Sequence, residues 1–357
     1  MKKPCQYITD DTQGSGVTVY VIGSGANIDH DEFKHLDRKS VRFIFADPEN
    51  NKKREDKQIH QGNNSPLGTA VLSKLCGSQY GVSKKVTPVI VKVTDADGKY
   101  NFLNIIQGLI STHADILLES KRNADAKFIV IDSVHVDDVP TPVTKPVYKD
   151  FYKHAIKRLS NMDNAIFIAG AVVQEKKDQE IIYSYPSILG KTPGDYPKLL
   201  VVGGVDQSYK AIENMEDWIK TYAPANDIVT AAGLPSQYLS WDGAYIAAPA
   251  VAGILATFIS KGKGGIEEAL SQLDKFAYQR GSTGLHRRVV YNGVWEDAKG
   301  VKFSVPEEAR TEWDEWEYDA EFCRACTESN GVQPINHVVW LPGDCPCPEA
   351  GSSRGAS

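Results

Sequence analysis

The apolar positions along the chain follow two rhythms. Short unbroken apolar runs occupy residues 17–22, 89–93, 128–131, 165–169 and 199–205, and predict strands. Between them, apolar residues recur every three or four positions. Residues 67–75 place Val71, Leu72 and Leu75 on one side of a helix, and 101–118 carry Leu103, Ile106, Leu109 and Ile110 at helical intervals. Residues 148–159 predict a third helix, and 243–259 a long, wholly apolar fourth. Strands apolar on both faces, alternating with helices, are the signature of a parallel sheet in an α/β fold. Ligands and reacting groups collect at the carboxyl ends of such strands. The Gly-Ser-Gly turn after Ile22, the turn after Ala169 and the start of the helix at Gly243 are therefore the expected places for chemistry.

Composition narrows this picture. A chain of 357 residues, 41% apolar and 24% charged, holds two domains or one large domain with an appendage. A net charge of -6 argues against a nucleic-acid partner, which calls for a basic face. The cluster Lys52-Lys53-Arg54 is followed by Glu55 and Asp56 and reads as a solvated loop. No unbroken apolar run of about 18 residues appears, so no membrane span is expected. Lys2 and Lys3 precede no apolar stretch, so an intracellular protein is expected, or a secreted one if the chain is a trimmed product.

Beyond residue 300 the character changes. Trp313, Trp316 and Trp340, an acidic run over 312–321 and a Gly/Ser-rich tail follow, so the expected division is 1–300 and 301–357. The tryptophans are expected to pack this extension onto the main domain, an exposed partner-binding strip being the other reading. Cys323 and Cys326 form a C-x-x-C, and Cys345 and Cys347 a C-x-C. Four thiolates suit a structural zinc, two disulfides need an oxidising compartment, and free thiols are the third reading. Cys76, at the end of an apolar helix, is expected to be a buried small hydrophobe. Asn63-Asn64-Ser65 is a formal glycosylation acceptor weakened by Pro66.

Four segments stand in a telling order: GVTVYVIGSGANIDHDEF at 16–33, LGTAVL at 67–72 with Tyr80-Gly81-Val82 after it, IAGA at 168–171, and GAYIAAPAVAG at 243–253. They resemble, in sequence order, the motifs of the subtilisin-like serine proteases, especially proteinase K-like and fungal members. The resemblance implies a three-layer α/β/α sandwich with a mainly parallel sheet. It also implies a site, and there the chain departs from the family. Gly23 stands for the Asp of Asp-Thr/Ser-Gly, Leu67 for the His of His-Gly-Thr, and Tyr245 for the Ser of Gly-Thr-Ser-Met-Ala-x-Pro. Ala171 stands for the oxyanion Asn of Ala-Ala-Gly-Asn.

Nucleophilic hydrolysis needs a nucleophile, a base beside it and a carboxylate that orients the base. Gly23 has no side chain, Leu67 accepts no proton, and Ala171 donates nothing to an oxyanion. Tyr245 keeps a hydroxyl, but a phenol ionises near pH 10 and has no motif base beside it. It is expected to act as an aromatic plug. Ile131-Asp132-Ser133-Val134-His135 resembles the family's substrate-groove strand, where Ser-Leu-Gly is typical, and makes Ser133, Val134 and His135 the groove candidates. His135 in the glycine's place is expected to crowd the groove. Asp29 and His30 match what active relatives carry and are read as structural.

The expectation is a non-catalytic pseudoprotease that binds a protein or peptide partner in a regulatory or scaffold role. A residual or re-purposed serine-type hydrolase with a rebuilt site is the alternative. No cofactor is required on this reading. Calcium enters only through the resemblance, with no ligand set that maps onto the chain.

Overall fold

The computed structural model describes residues 9–47, 66–95, 97–136, 146–177, 180–212, 216–262, 264–279, 288–290, 292, 294–296 and 302–304. Among the described residues fifteen strands follow in chain order: β1 Val17–Gly23, β2 Arg42–Phe45, β3 Thr87–Lys92, β4 Lys127–Asp132, β5 Ala165–Gly170, β6 Val173–Lys177, β7 Glu180–Tyr183, β8 Leu199–Val205, β9 Thr221–Pro224, β10 Ile228–Ala231, β11 Tyr238–Trp241, β12 Tyr278–Gln279, β13 Arg288–Val289, β14 Val294–Glu296 and β15 Lys302–Ser304. The helices are α1 Leu67–Cys76, α2 Phe102–Arg122, α3 Pro146–Ser160, α4 Ala244–Lys261 and α5 Gly265–Phe276.

Nine strands form one sheet in the order β12-β13-β9-β8-β5-β4-β1-β3-β2. Every pairing in it is parallel except β12 with β13. The period-two alternation of a strand sends Val19 and Val21 of β1 to one core and Tyr20 and Ile22 to another. The first core is closed by α1 and α4, the second by α2 and α3. The architecture is the three-layer α/β/α sandwich with a mainly parallel sheet that the sequence led us to expect.

The apolar runs locate the central strands closely. They miss β2, β9, β12 and β13 of the large sheet, the strands of the three small sheets, and α5. In β2 every residue but Phe45 is only half-buried, so its pattern lacks the unbroken apolar run of a central strand. Helix α2 runs four residues past its expected end. It is capped by Asn101, whose side chain accepts from Leu103 N, and pinned by Asp115. Tyr20 Oη donates to Asp115 Oδ2 at 2.7 Å, and Arg42 Nη1 donates to Asp115 Oδ1 at 2.9 Å. Burial pushes the Tyr20 phenol above its ordinary range, and the Asp115 carboxylate adds to that shift.

Helix α4 is, among the described residues, the one helix long and apolar enough to cross a membrane, but 83% of it is buried inside the fold. It packs against α1, α5, β4, β5, β8 and β9 and is the central helix of its layer.

All ten residues of α1 are buried, Lys74 among them. Its Nζ meets no hydrogen-bond partner among the described residues. Burial alone holds this amine well below the ordinary lysine range. An unfolded chain protonates it up to pH ~10, so stability rises with pH between the folded value and ~10. Lys74→Met is therefore expected to stabilise the protein at pH 7 by more than ~1 kcal/mol, with the gain shrinking towards pH 10. Denaturant titrations at the two pH values measure this.

Candidate functional site

The parallel sheet and the helices that follow its strands bring several turns to one edge. At the end of β1, Ser24 Oγ accepts the Gly68 N–H at 3.1 Å. This supplies a cap that α1 lacks, because Pro66 at its cap position makes no side-chain bond. The approach is close enough that a Cβ on Gly68 would lie 2.0 Å from Gly25 O. Gly23 is thereby held beside Gly68, the residue that follows Leu67. A Cβ on Gly23 would lie 4.0 Å from the Gly68 Cα, and 2.5 Å from Ser133 Oγ. That hydroxyl donates to Ile22 O at 2.7 Å, so it fills the volume where a side chain at position 23 would begin. Leu67 is buried in the α1–α4 core.

A second pair sits beneath α4. A Cβ on Gly170, at the end of β5, would lie 2.6 Å from Ala244 O and 2.7 Å from Tyr245 N. The next residue, Ala171, is fully buried and donates its N–H to Val202 O at 2.7 Å. Tyr245 is half-buried, with its ring edge-on to Trp241 at 6.4 Å. The ring also covers Gly243, whose φ of +127° and whose missing Cβ, 2.5 Å from Tyr245 Cε1, leave room for glycine alone. The aromatic ring thus folds back over the turn that starts its own helix. Burial raises its phenol, and the charge of Asp242 raises it further. Asp242 is itself engaged, accepting from Asn226 Nδ2 at 2.8 Å and Asp227 N at 2.6 Å.

No protein-family model matches the chain. It is 28% identical over 290 residues to a cuticle-degrading serine protease of Orbilia oligospora, covering 80% of this chain and 59% of that protein. It is 27% identical over 263 residues to Subtilisin-like protease 3 of Pseudogymnoascus destructans, covering 73% and 56% respectively. The crystal structure of a cold adapted subtilisin-like serine proteinase superposes with a TM-score of 0.58 at 21% identity, covering 80% of this chain and 92% of that one. The chain is similar to subtilisin-like proteases. It spans less than two thirds of the length of these curated relatives.

The remaining candidates of this subtilisin-like chain scatter. Ser133 and Val134 are turned inward at 3% and 5% exposure, and only His135 of the three groove candidates stands in solvent. Just beyond it Val136 exchanges both backbone bonds with Tyr185 at 2.9 Å. His30 is fully buried, its Nδ1 accepting from Glu32 N at 3.1 Å while Nε2 faces Gln237 O at 2.8 Å. Both ring nitrogens are committed, with the proton on Nε2, which makes this histidine a clamp between two turns. Asp29 pairs with Arg38. Among the described residues no group of three or more His, Cys, Asp or Glu side chains is placed to hold a metal. Cys323, Cys326, Cys345 and Cys347 lie outside the described residues, as do Asn63, Trp313, Trp316 and Trp340. Cys76 is buried and free, its thiol pushed up by burial.

One titratable group of the groove segment has surroundings that the sequence did not disclose. Asp132 ends β4 at 3% exposure and points to the face opposite Ser133. Its Oδ1 accepts from Val134 N at 3.0 Å, and Tyr152 Oη reaches its Oδ2 at 3.5 Å. The hydroxyl of Tyr100 turns inward towards Ser24 and also feels the Asp132 charge. Burial pushes the Asp132 carboxyl up to about 7. The only signal in the sequence is one polar residue closing an otherwise apolar strand. The folded carboxyl holds its proton from pH ~4, where the unfolded chain loses it, to about 7. Its contribution is thus full below pH ~4 and is lost as pH rises to about 7, by up to ~4 kcal/mol. Asp132→Asn keeps an oxygen for Val134 N. It is expected to match the parent at pH 4 and exceed its stability increasingly up to pH 8, as followed by thermal melts across that range.

Proposed function

We propose that this chain is a non-catalytic relative of the subtilisin-like proteases that acts by binding a protein or peptide. The observation that carries the reading is the set of side chains at the carboxyl edge of the sheet. Gly23, Leu67, Ala171 and Tyr245 occupy the motif positions, and Ser133 Oγ lies 2.5 Å from where a Cβ on Gly23 would stand. None of the four is an acid, a base of useful strength or an amide donor. The other ionisable groups nearby are committed elsewhere: His30 to two turns, Asp242 to the Asn226–Asp227 turn, and Asp132 to the opposite face of the sheet.

A binding role is supported by what is retained. The fold, the turns that seat α1 and α4, and a solvent-facing His135 beside the Val136–Tyr185 pairing leave a surface where an extended segment can lie. The relatives named above are described as proteases, and catalysis is the property this reading removes.

Labelling of the full chain with a fluorophosphonate probe, alongside a reactive subtilisin-like protease, tests the catalytic half. No adduct and no turnover of a general peptide substrate are expected. A specific adduct on any serine, or on Tyr245, would mean that a working site has been rebuilt. For the binding half, selection from a random-peptide display library on the full chain is expected to return binders that His135→Glu weakens. A library that yields none sinks this half.

A further inference from the structure

One side of the molecule carries large apolar side chains in solvent. On α2, Leu103, Ile110 and Leu117 are 48%, 49% and 45% exposed. Their spacing sets them in one stripe along the helix, with Gln107 and Ala114 between them. On α3, which packs beside α2, Val147 and Phe151 are 49% and 57% exposed, one turn apart. An apolar stripe on an outer helix, broken here only by Gln107, marks a face that is covered by something.

The rim of this face is basic at the carboxyl ends of both helices. Lys121, Arg122, Lys157 and Arg158 are exposed there. Arg122 bridges to Glu119 at 2.8 Å and Lys157 to Asp195 at 2.7 Å. The acids of α2, Asp115 and Glu119, lie within 2.9 and 3.8 Å of Arg42, which leaves Asp150 as the exposed acid on α3. An occupant that fits must be apolar along its centre and acidic around it.

The chain contains such a segment. Residues 312–321, outside the described residues, read EWDEWEYDAE: two tryptophans and a tyrosine among six acids, with no basic residue. The reach is sufficient. The nine residues from Ser304 to Trp313 alone extend up to ~30 Å. From β13, next to the edge strand β12, to β1, which α2 contacts, is five strand spacings of ~5 Å. We propose that residues 312–321 dock on the α2–α3 face, with Trp313 and Trp316 on the stripe and their flanking carboxylates against the basic rim. The indoles supply apolar area at a low entropic cost, and the carboxylates set the register by charge complementarity.

Zero-length carbodiimide coupling of the full chain, with mass mapping of the monomer fraction, tests this. Amide links between the acids of 312–321 and Lys121 or Lys157 are expected. They are expected to be lost in Trp313→Ala/Trp316→Ala and, independently, in Ile110→Asp/Phe151→Asp. Far-UV circular dichroism confirms that both variants are folded, since the substituted helix residues are exposed. Links found only between two chains would give the face to a second copy and overturn the proposal. So would links that survive both pairs of substitutions, or none to these lysines. The result does not depend on the probe labelling above, because the face is the outer surface of the α2–α3 layer, whereas Leu67 and Tyr245 belong to the α1–α4 side.

Discussion

The seating of α1 on the end of β1 is the contact on which the rest of this architecture depends. Ser24 closes the bare amino end of the helix, and Gly68 lets the two backbones touch. Once that approach is fixed, Asn27 N bonds Thr69 Oγ1 at 3.0 Å and Asn27 Nδ2 bonds Gly233 O at 2.8 Å, which draws the β10–β11 region over the same junction. Glu32 extends the lock. Its buried carboxylate accepts from Gln79 N and Tyr80 N, and burial raises its pKa despite those two bonds. A helix with every residue buried needs its polar ends settled by other elements, and here they are.

The same junction separates scaffold from chemistry. The groups that hold turns together, Ser24, Asn27, His30, Glu32 and Thr69, are polar and fully engaged. The groups at the four motif positions pack: on the reading proposed above, Leu67 goes into a core, Ala171 against β8, and Tyr245 over Gly243. Packing at such positions is compatible with a stable fold because apolar burial there carries no desolvation cost, whereas an acid or base would require compensating partners. Under that proposal the fold is kept while reactivity is not, since a fold does not by itself carry a function.

The central strands were legible because they are buried on both faces and read as unbroken apolar runs; β1, β4, β5 and β8 all have this character. The helices were legible by period, α4 most of all. Strand β2 was not, because an edge strand with half-buried Arg42, Phe43 and Ile44 has no distinctive rhythm. Of the site, the positions of Gly23, Leu67, Ala171 and Tyr245 came from motif order, but their surroundings did not. That Ser133 turns its hydroxyl under Gly23 while Asp132 faces the other way follows from strand alternation, which is visible only once the register of β4 against β1 is known. The posture of Tyr245 could not be read from sequence either, because it depends on the +127° turn at Gly243 and on Trp241.

Helix α4 has a consequence for how the molecule comes into being. It lies late in the chain yet supplies contacts to α1, β1, β4, β5, β8 and β9, and α1, β1 and β4 precede it by more than a hundred residues. During synthesis the strands made first therefore wait with one apolar face open until residue 261 has left the ribosome. At typical elongation rates of about 5–20 residues per second, that interval lasts several seconds or longer. A nascent chain in this state exposes unpaired apolar strands, and non-local contacts of this kind make folding slow. The order of elements along the chain makes biogenesis, more than the finished structure, the stage at which this protein is most exposed to aggregation.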